Sequence, residues 1–196
     1  MRSRTARWTF GAMAWIALVA AALVIFQTES RILASTASLR SIDRLAHEAA
    51  DALVDARVAQ EAYVAQGQGI DFWMPKNAVS AERAAAALAA LDQAASSTVA
   101  HDALAQAKAA LSESTNIDAR ARDYANAGQP LMAGDVIFTE GGPAVASVAQ
   151  LIETARIAEQ QASYDDELAG RKLEALAAAG AGVFAGLTVL ILAPGS

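Results

Sequence analysis

The stretch FGAMAWIALVAAALVIF, from Phe10 to Phe26, decides the fold that the sequence predicts. Its seventeen residues carry no charge and no strong polar group. As a helix they extend about 25 Å, close to the roughly 30 Å hydrocarbon core of a bilayer. Arg2, Arg4 and Arg7 precede the stretch, and positive flanks of this kind stay in the cytoplasm. We therefore predict a cytoplasmic basic N-terminus at residues 1–9 and a transmembrane helix at residues 10–27.

A cleaved signal peptide is the alternative for this stretch, because arginines also precede the apolar part of such peptides. Seventeen apolar residues exceed the usual length of that part, and the following FQTES contains no small-x-small cleavage site. A later candidate for cleavage lies at residues 34–37, ASTA. The prediction keeps an uncleaved anchor and leaves cleavage open.

A second uncharged run occupies residues 176–193, LAAAGAGVFAGLTVLILA. Arg171 and Lys172 precede it, and residues 194–196 form a short tail. Its length predicts a second transmembrane helix, with a hydrophobic core or amphitropic helix as the alternative. Two spans give a two-pass protein of the inner (cytoplasmic) membrane. Both termini would then be cytoplasmic, and residues 28–175 would be periplasmic or extracellular.

Charge and cysteine content limit the function. All 21 acidic residues fall between Glu29 and Glu174, where 12 basic residues leave a net charge of −9. A segment this acidic offers no surface for nucleic acid. The chain has no cysteine, which excludes disulfides and thiolate nucleophiles or ligands.

The residues after the first span keep a helical pattern without a break. No Pro or Gly occurs between Gly11 and Gly67, so one helix is predicted to continue from the span to about Gln66. Apolar positions recur along it in steps of three and four, which is typical of a bundle or coiled-coil seam. The seam comprises Leu39, Ile42, Ala46, Ala49, Leu53, Ala56, Gln60 and Tyr63.

Helix-breaking and capping residues divide the rest of the chain into three more helices. Gly141, Gly142 and Pro143 predict a break before the last of them. The other predicted elements are helix two at 75–95, helix three at 99–127, a short helical turn at 131–138 and helix four from Pro143 onward. We predict an all-α fold, an antiparallel up-down four-helix bundle whose helices one and four continue into the two transmembrane helices.

No motif indicates catalysis, a metal or a cofactor. His47 and Glu48 begin a zinc-protease-like motif that lacks its second histidine. No serine lies in a nucleophile elbow, and no glycine-rich phosphate loop is present. Asp43, His47, Asp51 and Asp55 recur every four residues, which is typical of a solvated helix face. We predict that the protein is not an enzyme.

Four residues are candidates for contact with a ligand or partner, namely Arg57, Tyr63, Phe72 and Trp73. The two aromatic residues after the first bundle helix lie in an apolar cluster that either plugs the end of the core or forms a contact patch. Arg57 is one of several arginines on bundle helices, two of which would hold an anion if they converged. Gly182 and Gly186 form a small-x-x-x-small motif that permits close contact between membrane helices. The motif could contact either the first span of the same chain or a second subunit in a homodimer.

The residues Gln60 to Gly67, QEAYVAQG, followed by Phe72 and then Leu88 and Leu91, resemble the third class of CHASE-type extracellular sensory domains of bacterial transmembrane receptors. The layout is more distantly similar to the four-helix-bundle ligand domains of chemoreceptors. Two features depart from the family. Glu61 and Ala62 stand where it usually has arginine and glycine, and the given sequence ends three residues after the second span, before any output domain. The sequence could be a fragment, an input domain separated from its output, or an integral protein that acts through a partner.

The resemblance implies a sensory, signal-input module that passes a ligand- or partner-induced helix shift across the membrane. Its expected partners are the lipid bilayer, a second copy of the chain and a separate cytoplasmic signalling protein. The alternative is a membrane-tethered structural or protein-interaction bundle with no ligand.

Overall fold

A computed structural model describes residues 4–65 and 67–192, and within the long helices it leaves out the side chains of residues 4–14 and of scattered residues up to 32 and from 181 onward. The described residues are 94% helical and contain no strand. The all-α prediction is therefore confirmed. The helices are α1 (Arg4–Val64), α2 (Ile70–Ala94), α3 (Thr98–Asn126), α4 (Pro130–Val136), a π-helical turn (Ile137–Gly141) and α5 (Gly142–Leu192).

The predicted membrane location requires correction. Among the described residues, no helix has a stretch that is both long and apolar enough to cross a bilayer. A span needs about 20 consecutive apolar residues. The two-pass location in the inner membrane is contradicted by this finding. Parts of both predicted spans, including residues 10–14 and 187–193, lie outside the residues whose side chains are described.

The chain divides into two compact units, residues 1–37 with 163–196, and residues 38–162. In the first unit, the Oγ atoms of Ser35 and Ser163 lie 2.6 Å apart and share a hydrogen bond. Its large apolar side chains are exposed where they are described, with Phe26 at 70%. The buried residues of the described chain all lie between Ile42 and Glu159, so the core belongs to the second unit.

Alanine dominates the larger of two buried clusters in the second unit. Ala49, Ala52 and Ala107 are completely buried. Alanine favours the helix and lets neighbouring helices approach closely. The predicted seam of α1 is confirmed, because every member from Ile42 to Tyr63 is buried and only Leu39 is half-buried.

The start of α2 differs from the prediction. The helix begins at Ile70 and contains Pro75, which the sequence pattern placed at its first turn. A proline inside a helix removes one backbone hydrogen bond. Three apolar side chains before Pro75, those of Ile70, Trp73 and Met74, pack against the smaller buried cluster and offset that loss. The buried members of this smaller cluster are Tyr63, Val64, Ile117, Ala121, Ala125, Ala133, Val136 and Ile137. Tertiary packing therefore extends the helix across the proline.

The predicted break at residues 141–143 is also wrong. The chain passes from α4 through the π-helical turn directly into α5, and Gly142 has helical angles of φ −59° and ψ −57°. Nη1 of Arg57 donates a hydrogen bond of 2.8 Å to the carbonyl oxygen of Ile137. A Cβ atom on Gly141 or Gly142 would lie 3.2 or 3.3 Å from this guanidinium. The glycines here make room for an arginine instead of ending the helix.

The first turn of α3 is capped by the serine at its own N-terminus and by a glutamate of α5. Ser97 is its N-cap, and its hydroxyl accepts a hydrogen bond of 3.0 Å from the amide of Ala100. The Glu159 carboxylate of α5 accepts bonds from the backbone amides of Ser96 and Ser97 at 2.7 and 2.5 Å. Burial alone would raise the pKa of Glu159, but the bonds from Ser97 and Ser96 outweigh burial and hold that pKa below its ordinary value of 4.5.

The low pKa of Glu159 predicts a pH-dependent contribution to stability. A carboxyl group whose pKa is lowered by folding stabilises the folded state above its ordinary pKa, and that stabilisation is lost as the pH falls through the lowered value. Glu159→Gln should therefore cost about 1–2 kcal/mol in the free energy of unfolding at pH 7. The difference from the parent chain should disappear progressively on acidification below pH 4.5.

Urea unfolding of the full chain, followed by far-ultraviolet circular dichroism at several pH values, measures this difference. The matched control is Glu113→Gln, because Glu113 is exposed and accepts no hydrogen bond within the described part of the chain. Equal stability losses for Glu159→Gln at neutral and acidic pH would contradict the capping role.

Candidate ligand-binding site

Asp118 of α3 lies at the centre of a buried polar cluster. The residue is 6% exposed, and three side chains donate to its Oδ1 atom. These are Asn77 Nδ2 at 2.8 Å, the Tyr63 hydroxyl at 2.9 Å and Gln60 Nε2 at 3.1 Å. The cluster thus connects α1, α2 and α3 through a single carboxylate oxygen.

The other oxygen of Asp118 is paired with a cation from the same helix. Arg122 Nε lies 2.6 Å from Oδ2, four residues further along α3. This contact is an ion pair whose angle is not that of a hydrogen bond. The buried charge is therefore compensated, as a buried charge must be if the fold is to tolerate it.

The pKa of the Tyr63 hydroxyl is shifted strongly by this environment. Burial raises the pKa of its hydroxyl, and the neighbouring Asp118 charge and hydrogen bond raise that pKa further. The hydroxyl consequently stays protonated and acts as a donor to Asp118. Its role is to hold the carboxylate in place.

The two amides of the cluster each have one oxygen without a partner. A carboxylate only accepts hydrogen bonds, so the amide nitrogens of Gln60 and Asn77 must face Asp118. Their carbonyl oxygens, Gln60 Oε1 and Asn77 Oδ1, are buried and accept no hydrogen bond from the described residues. Gln60 is 4% exposed and Asn77 1% exposed. Buried acceptors without a donor are rare in folded proteins and unfavourable.

Both amides line a cavity of about 420 Å³ between α1, α2 and α3, which Val145 of α5 also lines. The volume is within the range of small-molecule pockets. Its walls combine apolar side chains with a few polar groups, and exposed residues at its rim open it to solvent. The apolar wall consists chiefly of Leu53, Ala56, Ala78, Ala81, Leu111 and Val145. An apolar cavity with convergent polar groups is the usual form of a ligand site.

Of the four candidate contact residues, the structure brings only Tyr63 into this cluster. Arg57 instead forms an ion pair with Glu61 at 2.7 Å and binds the π-helical turn, so its contacts hold helices together. Its guanidinium lies 5.9 Å from the ring centre of Phe138.

Phe72 and Trp73 lie at the start of α2, away from the residues that line the cavity. Their rings meet edge to face with centres 5.0 Å apart, and Lys76 Nζ lies 4.8 Å from the Trp73 ring centre. Trp73 packs against the smaller cluster, whereas Phe72 is 64% exposed. Trp73 therefore covers the end of the core, and a contact role for Phe72 stays a prediction.

Gly182 and Gly186 lie on α5 in the unit that contains the chain termini, and both are exposed. A Cβ atom built on either would meet nothing within 4 Å. The homodimer contact through these glycines stays a prediction.

Sequence reasoning missed Asn77, Asp118 and Arg122 as members of a site. Asp118 lies on the seam of α3, since Leu104, Ala107, Leu111 and Ser114 lead to it in steps of three and four. A polar residue at a seam position is the signal that would have found it, as it did for Gln60 on α1.

In comparisons with protein-family models, curated proteins and solved structures, no match to the chain was found. The resemblance to CHASE-type sensory domains therefore stays a prediction.

Proposed function

We propose that residues 38–162 are a sensory module, an antiparallel up-down four-helix bundle that binds a small molecule in the Asp118 cavity. The single observation that carries the proposal is the pair of buried, unmatched acceptors, Gln60 Oε1 and Asn77 Oδ1, on the cavity wall. A donor from a bound molecule would satisfy both atoms.

Contacts between α1 and α5 support the antiparallel arrangement. Asp43, early in this part of α1, pairs with Arg156 of α5 at 3.1 Å. Arg57, later in α1, binds Ile137 just before α5 begins. Residue numbers therefore rise along α1 as they fall along α5, which is the relation between antiparallel neighbours.

The proposed signal is a small shift of the helices that Asp118 holds together. A ligand that binds one packing arrangement better than another shifts the population toward it. Contact with Gln60 and Asn77 would act directly on the hydrogen bonds that join α1 and α2 to α3. Helix α1 would carry that shift away from the cavity, because it is continuous from Arg4 to Val64.

A binding experiment on the full chain tests the first step. Thermal unfolding is followed with a panel of small organic ammonium compounds, carboxylates and neutral amides. We expect one class to stabilise the chain, by about 2.7 kcal/mol at a hundredfold excess over the dissociation constant. Ala81→Leu, which fills the cavity, should abolish this effect, whereas Ala86→Leu on the exposed side of α2 should not. No stabilisation by any class would overturn the proposal.

A distance measurement tests the second step. The chain contains no cysteine, so a spin-label pair can be introduced at the exposed positions Val54 and Val99, on α1 and α3. The stabilising compound should change the distance between the labels by about 1–2 Å. A pair at Arg44 and Val54, both on α1, is the control and should not change. An unchanged distance with bound compound would contradict the helix shift.

The alternative is a protein-interaction bundle without a ligand. The observation that favours it is a set of exposed apolar side chains in the second unit, among them Phe72, Leu131 and Phe138. Exposed apolar surface of this kind marks protein contacts when it forms a contiguous patch. A panel without any effect, together with self-association that Leu131→Ser and Phe138→Ser abolish in analytical ultracentrifugation, would favour this alternative.

A further inference from the structure

We infer that the ligand of the Asp118 cavity is a small organic ammonium compound with a short aliphatic body. The inference rests on the proposed function, since it names the chemical class that the same site would bind.

The hydrogen-bonding character of the cavity selects donors. Three buried atoms of the cluster have no hydrogen-bond partner among the described residues. Gln60 Oε1 and Asn77 Oδ1 are carbonyl oxygens and can only accept, whereas Arg122 Nε already faces the Asp118 carboxylate. Neither amide can turn over to present its nitrogen, because an oxygen would then face the Asp118 carboxylate and lose a hydrogen bond of 3.1 or 2.8 Å. A primary ammonium group brings three donors and no acceptor. It can therefore satisfy both oxygens and retain a third donor.

The charges that line the cavity select a cation. The lining contains three ionisable side chains, those of Glu82, Asp118 and Arg122. Arg122 forms an ion pair with Asp118, with Nε 2.6 Å from Oδ2. Glu82 lies on the exposed side of α2 and forms no ion pair within the described part of the chain. Glu82 leaves the lining with one net negative charge, which attracts an ammonium and repels a carboxylate.

The apolar wall of the cavity determines which non-polar part of the ligand fits. Alanines of α1 and α2 with Leu53, Leu111 and Val145 surround the polar end. The volume of about 420 Å³ is near the small end of the range for ligand pockets. These surfaces favour an unbranched or lightly branched alkyl chain over a second polar group.

Four probes built on a four-carbon chain separate these contributions. n-Butylammonium has charge and N–H donors, butyltrimethylammonium has charge without N–H, 1-butanol has one donor without charge, and butyrate has the opposite charge. Isothermal titration calorimetry and thermal unfolding of the full chain measure their binding. We expect n-butylammonium to bind at least about tenfold more tightly than each of the others, because only it supplies both N–H donors and positive charge.

Substitutions then assign the two contributions to residues. Glu82→Gln should weaken n-butylammonium binding about threefold, as removal of an exposed charge does. The matched control Glu113→Gln, outside the cavity, should leave the affinity unchanged. Asn77→Leu removes one acceptor and should weaken binding about tenfold. If Asn77→Leu does not fold, the comparison of n-butylammonium with butyltrimethylammonium tests the donor requirement without a substitution.

The outcomes separate this inference from the proposed function. Preferential binding of n-butylammonium that falls in Glu82→Gln supports both. Equal binding of all four probes, or tighter binding of butyrate or 1-butanol that Ala81→Leu abolishes, overturns the ammonium inference and leaves the sensory proposal standing. No binding by any probe overturns the inference and indicates that water satisfies the two oxygens. The wider panel of ammonium compounds, carboxylates and neutral amides then tests the proposed function.

Discussion

Replacement of Asp118 by alanine will lower the free energy of unfolding by about 3–5 kcal/mol. The substitution leaves three donors without their shared acceptor, namely the amides of Gln60 and Asn77 and the Tyr63 hydroxyl, and it removes the ion-pair partner of Arg122. Buried polar groups lose their full solvation energy when a partner is removed, and Arg122, whose side chain is 29% exposed, is left without its counter-charge. The stability loss should exceed that of an ordinary surface substitution several-fold.

Urea unfolding of the full chain by far-ultraviolet circular dichroism measures the effect of Asp118→Ala. Asp123→Ala is the matched control, since Asp123 is an exposed aspartate on the same helix, and its effect should stay within about 0.5 kcal/mol. Asp118→Asn should fall between the two, because it keeps one acceptor oxygen but places an amide against Arg122. A loss below about 1 kcal/mol for Asp118→Ala would show that the cluster is not a structural connection between helices.

Leu104→Ala is the second substitution with a large expected effect, about 3 kcal/mol. Leu104 is completely buried in the larger cluster, whose other members are mostly alanines. A core built from small side chains depends on its few large ones, and the space that Leu104 vacates is bordered by rigid helix backbones that cannot move in to fill it. The measurement is again the free energy of unfolding in urea.

Val99→Ala is the control for Leu104→Ala. Val99 lies on the same helix and is 60% exposed, so its truncation should change stability by no more than about 0.5 kcal/mol. If both substitutions cost the same, the larger cluster is not the main source of stability.

The long helices and their buried faces could be predicted from the sequence because they depend on local periodicity. The steps of three and four from Ile42 to Tyr63 are a property of the helix itself, and each of these residues is buried. Gly128 likewise follows the end of α3 with a φ of +70°, as its type predicts. These features need no knowledge of distant residues.

The errors arise where a residue distant in sequence decides the local conformation. The predicted break at Gly141 and Gly142 failed because Arg57, more than eighty residues earlier, occupies the space beside them. On α2 the apolar Val79 is 58% exposed, whereas the polar Asn77 and Ser80 are buried. Periodicity cannot anticipate that a buried carboxylate on α3 provides a partner for Asn77.

The candidate site was missed for the same reason. A pattern that assigns polar residues to the solvent places Asp118 on the surface, although its spacing puts it among the buried residues of α3. Arg57 was selected because it is a cation on a bundle helix, yet its partners are Glu61 and a carbonyl oxygen. Only the contacts of each arginine distinguish one that binds a ligand from one that joins helices.

The bonds from Glu159 to the α2–α3 connection restrict how far α5 can travel. A slide of one helical turn, about 5.4 Å, would carry the carboxylate beyond reach of the Ser96 and Ser97 amides and leave both without an acceptor. Displacements much smaller than a turn, or a tilt about the region of Glu159, preserve the two bonds. We therefore expect α5 to pivot near this residue, with excursions that grow with distance from it along the helix.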